Sequence, residues 1–322
     1  RQAGIINHTP AVNGMEIIHH SEAELIELSK TTTLFTRMFP EAKLAMVNAL
    51  KQNGEVVAML GDGVNDAPAL KAAHIGVAMG SKGTEIAKAA ASLVITNDDL
   101  DKLITGIAAG RRIYANIKKA IQYIISIHIP IILTVSLPLF LGWIYPHIFT
   151  PIHVIFLELI MGPTCSIVYE NEPMEQDTMQ RKPRKMTETF LNWKELSISI
   201  IQGLIITAGV LFSYQFSVQK GSNEETTRAM VFTTLIFANV FLSLVNRSFV
   251  YSMFESLKYK NPLFPIIIGA TLVLLSVILY IPFFSDFFQV NRLNAGELGI
   301  AISIATVSVL WFEAYKWIKR MK

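Results

Sequence analysis

The alternation of hydrophobic and polar positions divides the chain into two unlike parts. Across residues 1–119, Lys, Glu and Asp are scattered among short apolar runs, the texture of a water-facing segment. From Ala120 onward the apolar stretches lengthen to about 17–22 residues and recur, the length needed to cross a ~30 Å hydrocarbon core. In the first part, short β-rich runs alternate with helical patterns. Strands are predicted at Thr33–Met38, Glu55–Leu60, Ile75–Met79 and Leu93–Thr96, and helices at Pro40–Gln52, Ala67–Ala73 and Thr84–Ala91. Pro40 in the first turn and Gly54 just past the end frame the first of these helices. Strands separated by helices imply a mostly parallel, doubly wound sheet. No convincing first strand precedes them, so residues 1–109 are expected to be part of an α/β domain rather than all of one.

A helical pattern then runs unbroken from Asp99 to about Ser126, and residues 100–120 are expected to form a stalk bearing Arg111, Arg112, Lys118 and Lys119. Residues 121–322 read as an all-α membrane domain, with six spans at about 121–144, 152–169, 196–217, 229–246, 263–284 and 297–317. The connections alternate in charge. Segments 170–195, 246–261 and 316–322 carry five, three and four Lys or Arg, whereas 145–151, 218–228 and 285–296 carry none, two and one. Positive charge favours the cytoplasmic side, so the soluble part, the 170–195 loop and the C-terminus are expected to be cytoplasmic.

Composition sharpens this picture. The chain is 52% hydrophobic and only 16% charged, too little charge to cover a soluble surface, so membrane lipid is an expected partner. A net charge of +3, with no basic cluster interleaved with aromatics, argues against nucleic acid. The single cysteine, Cys165, rules out an intramolecular disulfide. The opening RQAGIINHTPAV has neither a start Met nor a signal-peptide core, and the chain is expected to be the back part of a longer protein.

Candidate chemistry lies at GDGVND, Gly61–Asp66, where a predicted strand ends and a helix begins. Ligands of open α/β sheets bind at such carboxyl ends. Asp62 and Asp66 on one tight turn repel unless a cation neutralises them, and Mg²⁺ suits because it takes one or two carboxylates plus waters and phosphate oxygens. Gly61 and Gly63 permit close backbone approach, and Asn65 offers an amide donor to a phosphoryl oxygen. Lys43, just inside the helix that starts at Pro40, adds an ammonium near a helix N-terminus.

The longer run MLGDGVNDAPALKAAHIGVAMG resembles the hinge segment of the P-type ATPases, cation pumps whose phosphorylation domain has the haloacid-dehalogenase fold. FTRMFPEAKLAMVNALKQNGEVVAM is similar to the family's pattern around its phosphate-contacting lysine, and GRRIYANIKKAIQY to its fifth-helix stalk. The resemblance extends over nearly the whole chain. It implies a partial haloacid-dehalogenase-like α/β domain followed by a six-helix polytopic bundle, and a whole protein that uses ATP and Mg²⁺ to move a cation. Asp62 would be the Mg²⁺ ligand, Asp66 its supporting partner, and Asn65 and Lys43 phosphoryl contacts. DKTGT, TGE, the nucleotide-binding domain and the first four spans are absent and would belong to an upstream N-terminal part of the same pump. This chain alone is therefore expected to be inactive. His74 stands where the family pattern KAADIGIAMG has Asp and is expected to be a local surface change.

A carboxylate at membrane depth costs about 2.5–3.5 kcal/mol on insertion scales, which makes Glu158 in HVIFLELIMGPTCSIVY a functional candidate. Gly162 and Cys165 follow on the same helical face, Pro163 and Pro130 disturb the helices, and His128 lies at comparable depth. By resemblance these are the fifth and sixth helices of the type-2, calcium-pump-like branch, which line the ion path. His128 and Glu158 fall where calcium pumps carry Asn, Ile131 where they carry Glu, and Gly162 where they carry Asp. His128 and Glu158, with Cys165 as a possible third, are the expected contacts for the transported cation; the alternative is a buried pair that holds two helices together. Six spans after the phosphate domain, where heavy-metal pumps have two, argue against a heavy-metal CPC site at Cys165. Glu170 and Glu172 are expected to be solvated, and Gln202, Asn239 and Asn246 to join helices. The rival readings for the whole protein are a membrane-anchored phosphatase of the same fold and a non-catalytic scaffold.

Overall fold

The parallel sheet forms over fewer residues than the apolar runs suggest. The computed structural model describes residues 10–184 and 187–321, which divide at Ile107 into two units. In the first, β1 (Val12–Asn13) pairs in parallel with β2 (Phe35–Thr36) as a separate small sheet. The predicted strand at 33–38 is cut short because Arg37 adopts a left-handed φ of 50°. Between them lie α1 (Gly14–Ile17) and α2 (Glu22–Thr31). Ser21 and Glu24 close a reciprocal capping box at the start of α2.

Helix α3 (Pro40–Gln52) follows as predicted. The main sheet has the order β3-β4-β5, all parallel, with β3 at Ala58–Gly61, β4 at Ile75–Met79 and β5 at Leu93–Ile95. Helices α4 (Ala67–Ala72) and α5 (Glu85–Ala90) connect the strands. Strand β3 begins later than Glu55 because the Val57 amide donates instead to His74 Nδ1 at 3.1 Å. The half-buried His74 ring satisfies a backbone donor at the strand entry. Val47, Val57 and Ala69 pack on one side of this region, and Leu70, Ala78 and Ala87 form a neighbouring cluster.

Among the described residues, six helices are long and apolar enough to cross a membrane. The expected stalk and first span are one 40-residue helix, α6 (Asp101–Phe140), which continues through Pro130 and Pro138. Helix α7 (Pro151–Pro163) passes into a π-helical run at Thr164–Tyr169. Then come α8 (Trp193–Gln219), α9 (Glu224–Val245), the short α10 (Met253–Ser256), α11 (Leu263–Tyr280), the short α12 (Pro282–Phe287) and α13 (Ala295–Met321). The fifth span stops before 284 because Ile281, which precedes Pro282, is extended.

Helix α9 is the centre of the bundle, packed against α7, α8, α11 and α13. Between apolar helices association rests on close approach and polar contacts rather than on expulsion of water. A Cβ at Gly203 would lie 2.8 Å from Ile129 Cβ and 2.9 Å from the Ser126 carbonyl, so α8 sits directly against the carbonyl that Pro130 cannot bond. Gln202 and Asn246 exchange amide hydrogen bonds of 3.0 and 3.2 Å, Ser126 joins Gln202 at 3.0 Å, and the Tyr123 hydroxyl donates to Asn239. These residues join helices as expected.

Glu172 departs from expectation. Its side chain is fully buried, paired with Arg247 at 2.8 Å and accepting from Asn261 at 2.9 Å. Arg247 and Asn261 lie far along the chain, so the short polar run ENEP gives no sign of the burial.

Candidate functional site

The acidic loop closes on itself. Gly61 ends β3, and the chain turns through the single 3-10 turn Val64–Asp66 into α4. The Asp66 carboxylate folds back over the loop and accepts from the amides of Asp62 and Gly63 at 3.3 and 3.2 Å. A Cβ at Gly61 would lie 2.5 Å from Asp66 Cβ, so glycine is required for this fold-back. Lys43, on the first turn of α3, donates its ammonium to Asp66 Oδ1. Burial alone would raise the Asp66 carboxyl. The Lys43 ammonium and the two loop amides outweigh it and hold the group below the usual carboxylate range.

Asp62 and Asn65 are exposed, with no side-chain hydrogen bond among the described residues. The two acids therefore stand in different surroundings. Asp66 is committed to Lys43 and the loop, while Asp62 is free to meet a ligand. Among the described residues no group of three or more His, Cys, Asp and Glu gathers at metal-holding distance. One free carboxylate still fits Mg²⁺, which keeps waters and takes phosphate oxygens from its substrate.

Two contacts at the same sheet edge have no obvious signal in the sequence. The Thr84 amide donates to the Asp62 carbonyl at 2.8 Å, tying the loop after β4 to the acidic loop. Asp98, after β5, has a left-handed φ of 57° and accepts from the Ser81 and Lys82 amides at 3.0 and 2.9 Å. Asp enters this backbone region more readily than most residues, and here its carboxylate anchors the loop after β4.

In the bundle, His128 Nε2 and Glu158 Oε1 approach to 3.3 Å, joining α6 to α7. The ring's Nδ1 lies 2.8 Å from the Ile124 carbonyl. The pair forms, but it is not buried: the side chains are 37% and 51% exposed. Gly162 opens onto free space, whereas Ile131 is in the core. The Cys165 side chain lies outside the described residues. His153, which the sequence does not single out, is fully buried among Phe149, Phe232 and Phe288, and its Nε2 has no hydrogen-bond partner among the described residues.

A parallel sheet with an acidic loop at its carboxyl edge, on the same chain as six apolar helices, defines a class: a haloacid-dehalogenase-like unit joined to a multi-pass membrane domain. The family model for the haloacid dehalogenase-like hydrolases matches residues 13–74, and that for the C-terminus of cation transporting ATPases matches residues 146–318. The chain belongs to the P-type, cation-transporting ATPases.

A calcium-transporting ATPase of Listeria monocytogenes is 34% identical over 95% of this chain and 34% of its own length. One from Yarrowia lipolytica is 31% identical over 95% of this chain and 33% of its own. The human calcium-transporting ATPase type 2C member 1 is 28% identical over 97% of this chain and 34% of its own. The chain thus spans about a third of the length of these relatives.

Proposed function

We propose that this chain is the C-terminal part of an ATP-driven pump that moves a cation through an aspartyl-phosphate intermediate. The observation that carries the proposal is one chain holding both a lysine-braced acidic loop and a carboxylate–imidazole pair in a six-span bundle. The phosphorylated Asp and the nucleotide site would be contributed by an upstream part of the same protein. Residues 1–109 are read as the end of the phosphorylation domain, 100–120 as the stalk and 121–322 as the transmembrane domain. The soluble unit and the C-terminus are assigned to the cytoplasm, in the plasma membrane of a bacterium.

Asp62 is the residue that would hold Mg²⁺, which supplies positive charge to the transferring phosphoryl group. Asn65 donates to a phosphoryl oxygen from its exposed position. Lys43 keeps positive charge beside the group, and Asp66 fixes both that ammonium and the loop. Gly61 makes the fold-back possible, and the Gly63 amide helps to hold it.

The transported cation is assigned to His128 and Glu158. Their exposure on this bundle fits a half-site that the upstream spans complete. The relatives are named for calcium, but Ile131 and Gly162 leave one carboxylate here where the calcium-pump pattern has further acids. A single carboxylate with an imidazole suits a cation of lower charge demand. The test is ATPase activity of the whole protein across a cation panel, for wild type and Glu158→Gln. The variant is expected to lose stimulation by the activating cation, with at least a tenfold rise in the concentration needed. Unchanged cation dependence would refute the assignment of the pair.

A further inference from the structure

The bundle carries a second charged feature, whose walls include neither His128 nor Glu158. An open pocket of about 1030 Å³ lies between α6, the 170–195 connection, the start of α8 and the end of α13. Among the described residues, eight Lys and Arg line it against three Glu. Two of those acids are already neutralised within the wall: Glu175 by Lys119 at 2.8 Å and Arg181 at 2.7 Å, and Glu195 by Lys118 at 2.6 Å. Burial pushes the Glu175 carboxyl up, but the Lys119 and Arg181 charges outweigh it and hold the group below its ordinary value. Lys182, Lys194 and Lys319, all exposed at the rim, have no ion-pair partner among the described residues. The pocket therefore keeps an uncompensated positive charge.

Its depth is marked by tryptophans. Trp193 is 83% exposed and immediately precedes Lys194, while Trp317 is 58% exposed two residues before Lys319. Exposed tryptophans at span ends belong to the belt where headgroups meet hydrocarbon. Ammonium groups at that level face lipid phosphates, and basic pockets between spans take anionic headgroups. A zwitterionic headgroup cancels its own phosphate charge, whereas an anionic one leaves a net charge for three free lysines. We propose that this pocket binds the headgroup of an anionic phospholipid.

The whole, delipidated protein is titrated in detergent with phosphatidylglycerol or phosphatidylcholine, and bound lipid is counted by native mass spectrometry. The test variant is Lys182→Gln/Lys194→Gln/Lys319→Gln. The control is Lys258→Gln/Lys260→Gln, exposed lysines of the 246–261 connection that do not line the pocket. Wild type and control are expected to prefer phosphatidylglycerol. The pocket variant should weaken its binding by about fivefold for each lysine removed, with phosphatidylcholine binding unchanged. All replaced side chains are exposed, and an unchanged unfolding temperature confirms that the variants fold. Equal loss in both variants would assign the effect to diffuse surface charge and overturn the proposal. So would an absence of lipid preference, or displacement of bound lipid by inorganic phosphate.

Discussion

Arg247→Met is expected to destabilise the membrane bundle by about 3–5 kcal/mol, the cost of breaking a buried ion pair from one side. Arg247 is 2% exposed and Glu172 is fully buried. Their N–O distance is 2.8 Å, and Arg247 also donates to the Tyr259 carbonyl at 3.2 Å and lies over the Phe264 ring at 4.6 Å. Removing the guanidinium leaves the buried Glu172 carboxylate with only the Asn261 amide, which also serves the Val168 carbonyl. The methionine restores volume but not charge. Adding Glu172→Leu should recover most of the loss, because an apolar pair of similar volume often matches a buried ion pair. The check is unfolding of the whole protein in one detergent, for both single variants and the double. Single variants within about 1 kcal/mol of wild type would contradict a bracing role.

Lys43→Met is the second large effect, and it strikes turnover as well as stability. Withdrawing a positioned charge from a developing anion costs about 10²–10³ in rate, and ATPase activity of the whole protein should fall by that much. The stability effect has a pH signature. Asp66 has a folded-state pKa held below its unfolded value, so its contribution is present above the unfolded pKa. It is lost as pH falls through the folded one. Without Lys43, burial is opposed only by the loop amides, and the carboxyl rises. The variant is therefore most destabilised relative to wild type at neutral pH, and the gap closes on acidification. A gap independent of pH would mean that Lys43 contributes packing rather than charge.

The features legible in the sequence are local and periodic. Strand β4 and helix α3 form over the predicted residues because Ile75–Met79 is a continuous apolar run and Pro40 marks a helix start. The six spans emerge because their length is set by the bilayer rather than by neighbours. Helix α2 has a signal of its own that the strand-and-helix pattern above passes over: Ser21 and Glu24 spell a capping box ahead of an apolar pattern. Strand β1 is a different case, since two residues carry no period and Val12–Asn13 is a strand only because Phe35–Thr36 is there to pair.

The candidate site shows the same division. GDGVND singles out the loop, yet which acid is paired and which is exposed depends on Lys43 reaching Asp66 across the fold. Asp98 braces the sheet edge with its carboxylate on the Ser81 and Lys82 amides, and Thr84 with its own amide on the Asp62 carbonyl, contacts set by the fold rather than by a local pattern. The burial of Glu172 is hidden from the sequence because its partners, Arg247 and Asn261, are set by tertiary packing. The pairing of His128 with Glu158 is legible in the chain; its exposure is not, because burial on a bundle surface depends on what else packs there.

That the acidic loop and the membrane bundle work as one ATP-driven cation pump is tested most directly by transport. The whole protein is reconstituted in sealed vesicles, and cation accumulation is measured on addition of Mg²⁺ and ATP, for wild type and Asp62→Asn. Wild type is expected to accumulate the cation only with ATP, and the variant not at all. Its loop can still form, because Asp66 bonds the residue-62 amide rather than its side chain. ATP hydrolysis without cation movement in tight vesicles would instead describe a membrane-anchored phosphatase. Full transport by Asp62→Asn would remove the acidic loop from the mechanism.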